Sequence, residues 1–122
     1  LPLGMTINMD GTAIMQVIAT VFIAGCAGYT VTPGQLVVVA LLALLASVGT
    51  PAAPGAGAVI LFTILSGAGF VNDSALLAYS LILAINRPIE MLVTSLNVVG
   101  DAVASICVAR SEGLLKEEVY NK

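Results

Sequence analysis

The sequence has no histidine and few basic residues, with four lysines and arginines against seven acidic residues among 122 positions. Without imidazole groups, metal centres and acid–base catalysis that depend on histidine are excluded. Without a basic patch, nucleic acid is not expected as a partner. No nucleophile–base arrangement is present, and GAGAVI at 55–60 lacks the preceding strand and the lysine of a phosphate-binding loop. We therefore expect neither an enzyme nor an organic cofactor.

Charge is also missing from the middle of the chain, since no charged residue occurs from Gly11 to Asn72. Only 9% of the residues are charged and 59% are hydrophobic, whereas a soluble domain carries about 25% charged residues. We expect a chain embedded in the lipid bilayer of the cell membrane rather than a buried subunit of a soluble assembly. Arg110, Lys116 and Lys122 follow the last apolar run, which predicts a cytoplasmic C-terminus.

Two interruptions divide the apolar sequence. In the first segment, residues 1–29, the stretch NMDGT at 8–12 contains residue types that favour turns and caps, so we predict a discontinuous transmembrane helix with an unwound link. Residues 34–70 consist of two short apolar runs around TPAAPGAGA at 50–58. Neither run can span a bilayer, which predicts a re-entrant helical hairpin. One bent spanning helix is the alternative.

A long final helix is predicted over residues 74–110, capped by Asp73 or Ser74 and bent at Pro88. Residues 111–122 are expected to form a solvated cytoplasmic tail. The sequence begins with leucine rather than methionine, and we expect it to be part of a longer multi-pass protein. The two cysteines, Cys26 and Cys107, have no metal-ligand spacing and are expected to be small buried residues.

Polar residues recur at intervals of three and four along the final helix, which places them on one face. They are Asn86, Glu90, Thr94, Asn97, Asp101 and Ser105. A carboxylate that faces hydrocarbon is unfavourable by several kcal/mol, so Glu90 and Asp101 must face a polar cavity or cations. Interhelical hydrogen bonds would explain the neutral members but not the two acids, of which Arg87 can pair with one, Glu90 at i+3. Carbonyls of unwound segments and carboxylates suit a sodium-like cation, and helix N-termini suit an anionic group. The pattern indicates a cation-coupled transporter of a small anionic or zwitterionic solute.

Three motifs in this order resemble the dicarboxylate/amino acid:cation symporter family. They are NMDGT at 8–12, SVGTPAAPGAGA at 47–58 and NVVGD at 97–101. The resemblance extends from residue 1 to about residue 110 and corresponds to the family's seventh transmembrane helix, second re-entrant hairpin and eighth transmembrane helix. It implies that residues 1–110 are the C-terminal part of the transport domain of an elevator-type transporter, an all-α membrane protein that is usually a homotrimer.

The resemblance also implies sodium as the coupling ion. One sodium site would use backbone oxygens of Gly4, Asn8 and Asn97 with the Asp101 carboxylate. A second would use backbone carbonyls of the broken helix and the hairpin, at Thr6, Ser47, Val48 and Thr50. A third would use the side chain of Asp10 with Asn8 and residues outside this chain. Met9 would lie between the ions and the substrate.

The substrate contacts implied by the resemblance are Thr12, Ala53, Gly57, Glu90, Thr94 and Asn97. Two positions depart from the family. Val93 stands where acidic amino acid transporters have an arginine, so bidentate recognition of a second carboxylate is lost and a small neutral amino acid is expected. Glu90 stands where the family has an aspartate that binds the amino group. Two alternatives stay open: a sodium- or proton-coupled carrier of dicarboxylates or acidic amino acids, and a non-functional truncated membrane fragment.

Overall fold

The computed structural model describes residue 4 and residues 6–115, which form four helices and no strand. Helix α1 comprises Asp10–Cys26, α2 Pro33–Val48, α3 Ala56–Gly67 and α4 Asp73–Ser111. The all-α expectation is confirmed for this part of the chain. The predicted tail falls mostly on residues 116–122, which lie outside the described residues.

Helix α1 begins at Asp10, earlier than the sequence suggested. Asn8 and Met9 are non-helical, as predicted, but Asp10, Gly11 and Thr12 belong to the helix, so the predicted unwound link was wrong for these three residues. An acidic side chain in the first turn is favourable next to the positive end of the helix dipole. The half-helix predicted before the link falls partly on residues 1–3 and 5, which are not described.

The predicted pair of short helices around a Pro- and Gly-rich tip is observed as α2 and α3. A capping box starts α2, because the Thr32 side chain accepts from the Gln35 backbone N–H and the Gln35 side chain accepts from the Thr32 backbone N–H. The tip, residues 49–55, is non-helical and ends at Gly55, whose φ of 85° is in the left-handed region that favours glycine. We call residues 49–55 the hairpin tip.

Helix α4 has 39 residues and is about 58 Å long if straight. Among the described helices it alone is long and apolar enough to cross a membrane. Its N-cap is Asn72, whose side chain accepts from Ala75 N at 2.7 Å, so the expected cap at Asp73 or Ser74 was wrong. Asn72 has the extended backbone of a cap, while Asp73 and Ser74 are already helical. Pro88 lies inside the helix, and the bend there stays a prediction.

The core lies between the far end of α1 and the hairpin helices, with Phe70 as its largest buried side chain. Its members are Ile23, Ala24, Val39, Ala43, Leu61, Ile64, Leu65, Phe70 and Ala75. Many large apolar side chains stay exposed, for example Leu45 at 72% and Leu92 at 70%. Surfaces of this kind suit lipid or further protein. Cys26 and Cys107 are both exposed, so the prediction of burial was wrong, because each lies on a helix face that the rest of the described chain leaves uncovered.

Candidate functional site

Asn97 joins the start of α1 to the middle of α4. Its side-chain oxygen accepts the backbone N–H of Gly11 at 2.9 Å, and its amide group donates to the Thr12 hydroxyl at 3.0 Å and to the Met9 sulfur at 3.3 Å. Asn97, Met9 and Thr12 are all buried. One amide therefore satisfies a free N–H of the first helical turn and fixes the side chains beside it.

Two glycines allow this close approach of α1 to α4. A Cβ on Gly11 would lie 2.8 Å from the Val93 carbonyl oxygen, and a Cβ on Gly100 would lie 2.6 Å from the Asn8 side-chain nitrogen. Asn8 thus packs against Gly100 of α4, which is the residue before Asp101. Gly11 was predicted to lie in the unwound link, and the structure instead shows it as a packing position inside the first turn of α1.

Glu90 connects α4 to the hairpin. Its carboxylate accepts the backbone N–H of Gly55 at 3.3 Å and lies 3.6 Å from the Arg87 guanidinium. The predicted pairing of Arg87 with Glu90 is confirmed. A Cβ on Gly57 would lie 3.4 Å from the Met15 side chain and 3.9 Å from Glu90, so α1, α3 and α4 meet at this point.

These contacts surround an open cavity of about 860 Å³. From the α1 segment it is lined by Met9, Thr12 and Met15; from the hairpin by Thr50, Pro51, Ala52, Ala53, Pro54 and Gly57; and from α4 by Arg87, Glu90, Met91, Val93, Thr94, Asn97, Val98 and Asp101. A cavity of this volume is the size of ordinary small-molecule sites. Its lining is mostly apolar with a few polar groups and three charged side chains.

All six residues predicted to contact substrate line this cavity, namely Thr12, Ala53, Gly57, Glu90, Thr94 and Asn97. The predicted ion ligands are distributed differently. Thr50, Asn97 and Asp101 line the cavity, and Asn8 lies beside it against Gly100. Gly4, Asp10 and Val48 are exposed, Thr6 is half-buried, and the buried Ser47 donates its hydroxyl to the Leu44 carbonyl at 2.8 Å. No cluster of three acidic, cysteine or histidine side chains suited to a metal occurs within the described ranges.

The sequence reasoning missed Met15 and Arg87 as lining residues. The spacing of residues along the helices could have predicted both. Met15 follows Thr12 by three positions on α1, and Arg87 precedes Glu90 by three on α4, so each continues a face that already carried predicted contacts.

Comparisons with known proteins identify relatives that match most of the chain. The family model described as "Sodium:dicarboxylate symporter family" matches residues 1–111. Excitatory amino acid transporter 2 of Homo sapiens is 43% identical over 102 residues, which is 84% of this chain and 17% of the relative. An excitatory amino acid transporter of Onchocerca volvulus is 42% identical over 106 residues, 86% of this chain and 20% of the relative. The chain therefore spans about a fifth of the length of these relatives. The family resemblance of the three motifs is confirmed, and the chain belongs to the sodium:dicarboxylate symporter family.

Proposed function

We propose that this chain is the substrate- and ion-binding part of a sodium-coupled symporter that carries a small amino acid across the cell membrane. The observation that carries the proposal is that residues of three separate helices line the same cavity, namely Thr12, Gly57, Glu90 and Asn97. The family description and the names of the relatives support the class of transport.

The chemistry of the cavity suits an amino acid. Glu90 offers a carboxylate to an ammonium group, and it already accepts a hydrogen bond from Gly55 N–H. The start of α3 at Ala56 offers the positive end of a helix to the α-carboxylate. Apolar lining from Met9, Met15 and Val93 leaves room for a side chain.

Sodium is proposed as the co-transported ion. Asp101 supplies a carboxylate in the cavity wall, and Asn8 is held beside it by the contact with Gly100. The backbone at residues 6–9 and in the hairpin tip is non-helical, and non-helical backbone next to a binding site is what such transporters use for cations. The ligand sets predicted above, including the sites at Asp10 and at Thr6, Ser47, Val48 and Thr50, remain part of this proposal.

The architecture of the full transporter is proposed from the family. Residues 1–110 would be the C-terminal part of a moving transport domain in an elevator-type homotrimer, with the hairpin as a re-entrant gate. Non-helical backbone in a bilayer is tolerated only where protein or a water-filled cavity covers it. The hairpin tip meets that condition on one side, because it lines the cavity and Gly55 N–H bonds Glu90.

Two observations bear on the side chain of the substrate. Val93 lines the cavity where acidic amino acid transporters of the family have an arginine, which supports the neutral amino acid expected from the sequence. Arg87 lines the same cavity, and the family is described by dicarboxylates, which supports a second candidate, an acidic amino acid or dicarboxylate.

Binding of an amino acid panel to the full-length gene product, with Na⁺ or with choline, tests the proposal. A bound ligand raises thermal stability through linkage, so we expect stabilisation by amino acids that requires Na⁺, and Na⁺-driven uptake in proteoliposomes. Asp101→Asn should weaken Na⁺ binding, so that more Na⁺ is needed for stabilisation and uptake falls. Equal uptake without Na⁺, abolished by the same substitution, would instead indicate a proton-coupled carrier.

A further inference from the structure

Arg87 is a cation in the cavity wall to which the family motifs assign no role. Arg87 lines the cavity together with Glu90 and Val93, and its guanidinium lies 3.6 Å from the Glu90 carboxylate. The side chain is 71% exposed, whereas that of Glu90 is 16% exposed. Compared with family members that have an arginine at position 93, Val93 leaves the cavity without that positive group. Arg87 supplies a positive group at a different place in the cavity.

The contact between Arg87 and Glu90 is too weak to explain the arginine by itself. The two groups are 3.6 Å apart on neighbouring turns, and ion pairs on exposed surfaces contribute little to stability. Glu90 also accepts the Gly55 N–H, at 3.3 Å. The guanidinium has five donors, and none of them makes a hydrogen bond to the part of the chain that the structure describes.

The charges of the cavity leave Arg87 available once a substrate is bound. Its charged lining residues are Arg87, Glu90 and Asp101. Under the proposed function, on which this step rests, Asp101 faces a sodium ion and Glu90 faces the ammonium group of the substrate. Arg87 then loses its counter-charge, and a nearby carboxylate would restore the balance at short range.

We propose that Arg87 binds a second carboxylate of the substrate, so that the cavity selects an acidic amino acid although position 93 is valine. Arg87 precedes Val93 by six residues, about 9 Å along the helix axis. The second carboxylate therefore binds nearer the N-terminal end of α4 than an arginine at position 93 would hold it. In the absence of substrate the guanidinium lies 3.6 Å from the Glu90 carboxylate.

Aspartate and asparagine separate this role from general binding, because they have nearly the same size and differ by one carboxylate. Affinities of the full-length gene product for both are measured in Na⁺ by calorimetry. Wild type is expected to prefer aspartate. Arg87→Met should weaken aspartate binding about tenfold or more and change asparagine binding less than about twofold. Arg87→Lys should retain part of the preference, since lysine keeps the charge but not the bidentate geometry.

The matched control is Arg110→Met, because Arg110 is an exposed arginine in the last turn of the same helix and outside the cavity. It should leave both affinities unchanged. Arg87→Gln provides a second neutral variant if the methionine variant does not fold. The inference is overturned if wild type binds asparagine as tightly as aspartate, or if neutral variants at Arg87 weaken both by the same factor. Absence of Na⁺-dependent binding of any amino acid to wild type would overturn the proposed function, and this inference with it.

Discussion

Gly11 is the residue on which the approach of α1 to α4 most depends. Alanine at this position would bring a Cβ to 2.8 Å from the Val93 carbonyl oxygen and 3.1 Å from the Leu96 Cβ. Neither atom is the end of a flexible side chain, so the backbones must separate and the Gly11 N–H bond to Asn97 is weakened. Overpacking of this kind costs about 1–3 kcal/mol. We expect Gly11→Ala to lower the thermal stability of the full-length gene product correspondingly.

Gly25 is the matched control on the same helix, because a Cβ there meets nothing within 4 Å. Since alanine favours a helix over glycine by up to about 1 kcal/mol, Gly25→Ala should leave stability unchanged or raise it. Equal losses of stability in the two variants would contradict the packing role of Gly11.

Glu90 is the second residue whose role can be tested alone. Glu90→Gln keeps the size and an acceptor for Gly55 N–H but removes the charge that would bind an ammonium group. Hydrogen bonds to charged groups contribute about 1.5–3 kcal/mol, so we expect amino acid affinity in Na⁺ to fall by about 10- to 100-fold. The control is Ser95→Ala, at an exposed position outside the cavity, which should not change the affinity. Unchanged affinity in the glutamine variant would show that Glu90 does not bind the ammonium group of the substrate.

At the scale of elements, the hairpin depends on the left-handed backbone of Gly55, with a φ of 85°. A side chain in this conformation costs about 1–2 kcal/mol. Gly55→Ala should therefore move the hairpin tip, weaken the bond from Gly55 N–H to Glu90, and lower both thermal stability and substrate affinity. Denaturation curves and binding titrations in Na⁺ measure the two effects.

Gly49→Ala is the control at the other end of the hairpin tip. Gly49 has an ordinary φ of −92°, and a Cβ there would lie 3.8 Å from the nearest atom outside its immediate neighbours, the Ala46 carbonyl oxygen. We expect little change in this variant. A larger effect at Gly49 than at Gly55 would show that the left-handed residue does not determine the conformation of the tip.

The elements themselves were largely predictable, and their contacts were not. Proline and glycine at 50–58 and the polar face of α4 are local signals, so the hairpin helices and that face were predicted. The start of α1 was not, because Gly11 N–H is satisfied by Asn97, 86 residues away. The N-cap of α4 was not predictable either. Asn72, Asp73 and Ser74 are adjacent and all three are favourable N-cap residues, so residue type does not decide which of them has the extended backbone of the cap.

At the scale of the whole molecule, charged and polar groups of the cavity are separated from an apolar outer surface. Glu90, Asn97 and Asp101 of α4 line the cavity with α1 and the hairpin tip, while other faces of α4 carry exposed residues such as Leu81, Leu92 and Val103. A polar site within a bilayer needs this segregation, because unpaired polar groups that face lipid are unfavourable. The same segregation explains why exposure of apolar side chains does not contradict a stable fold.

The two cysteines allow the membrane orientation of α4 to be tested. Cys26 ends α1, and the next residue, Ala27, accepts a hydrogen bond from the Asn72 side chain at 3.2 Å, which places Cys26 near the start of α4. Cys107 lies 35 residues beyond Asn72, about 52 Å along a straight helix. A hydrocarbon core is about 30 Å thick. If α4 spans the membrane, the two thiols lie toward opposite sides, and both are exposed in this structure.

Single-cysteine variants of the full-length gene product, with every other cysteine replaced by serine, are labelled with a membrane-impermeant maleimide in right-side-out vesicles. With the C-terminus in the cytoplasm, as the basic residues after the last apolar run predict, Cys107 should react only after the vesicles are permeabilised. Cys26 should react in intact vesicles, and a cysteine-free variant gives the background. Labelling of both thiols from the same side would contradict a membrane-spanning α4, because no straight or moderately bent helix of this length returns its end to the side where it began.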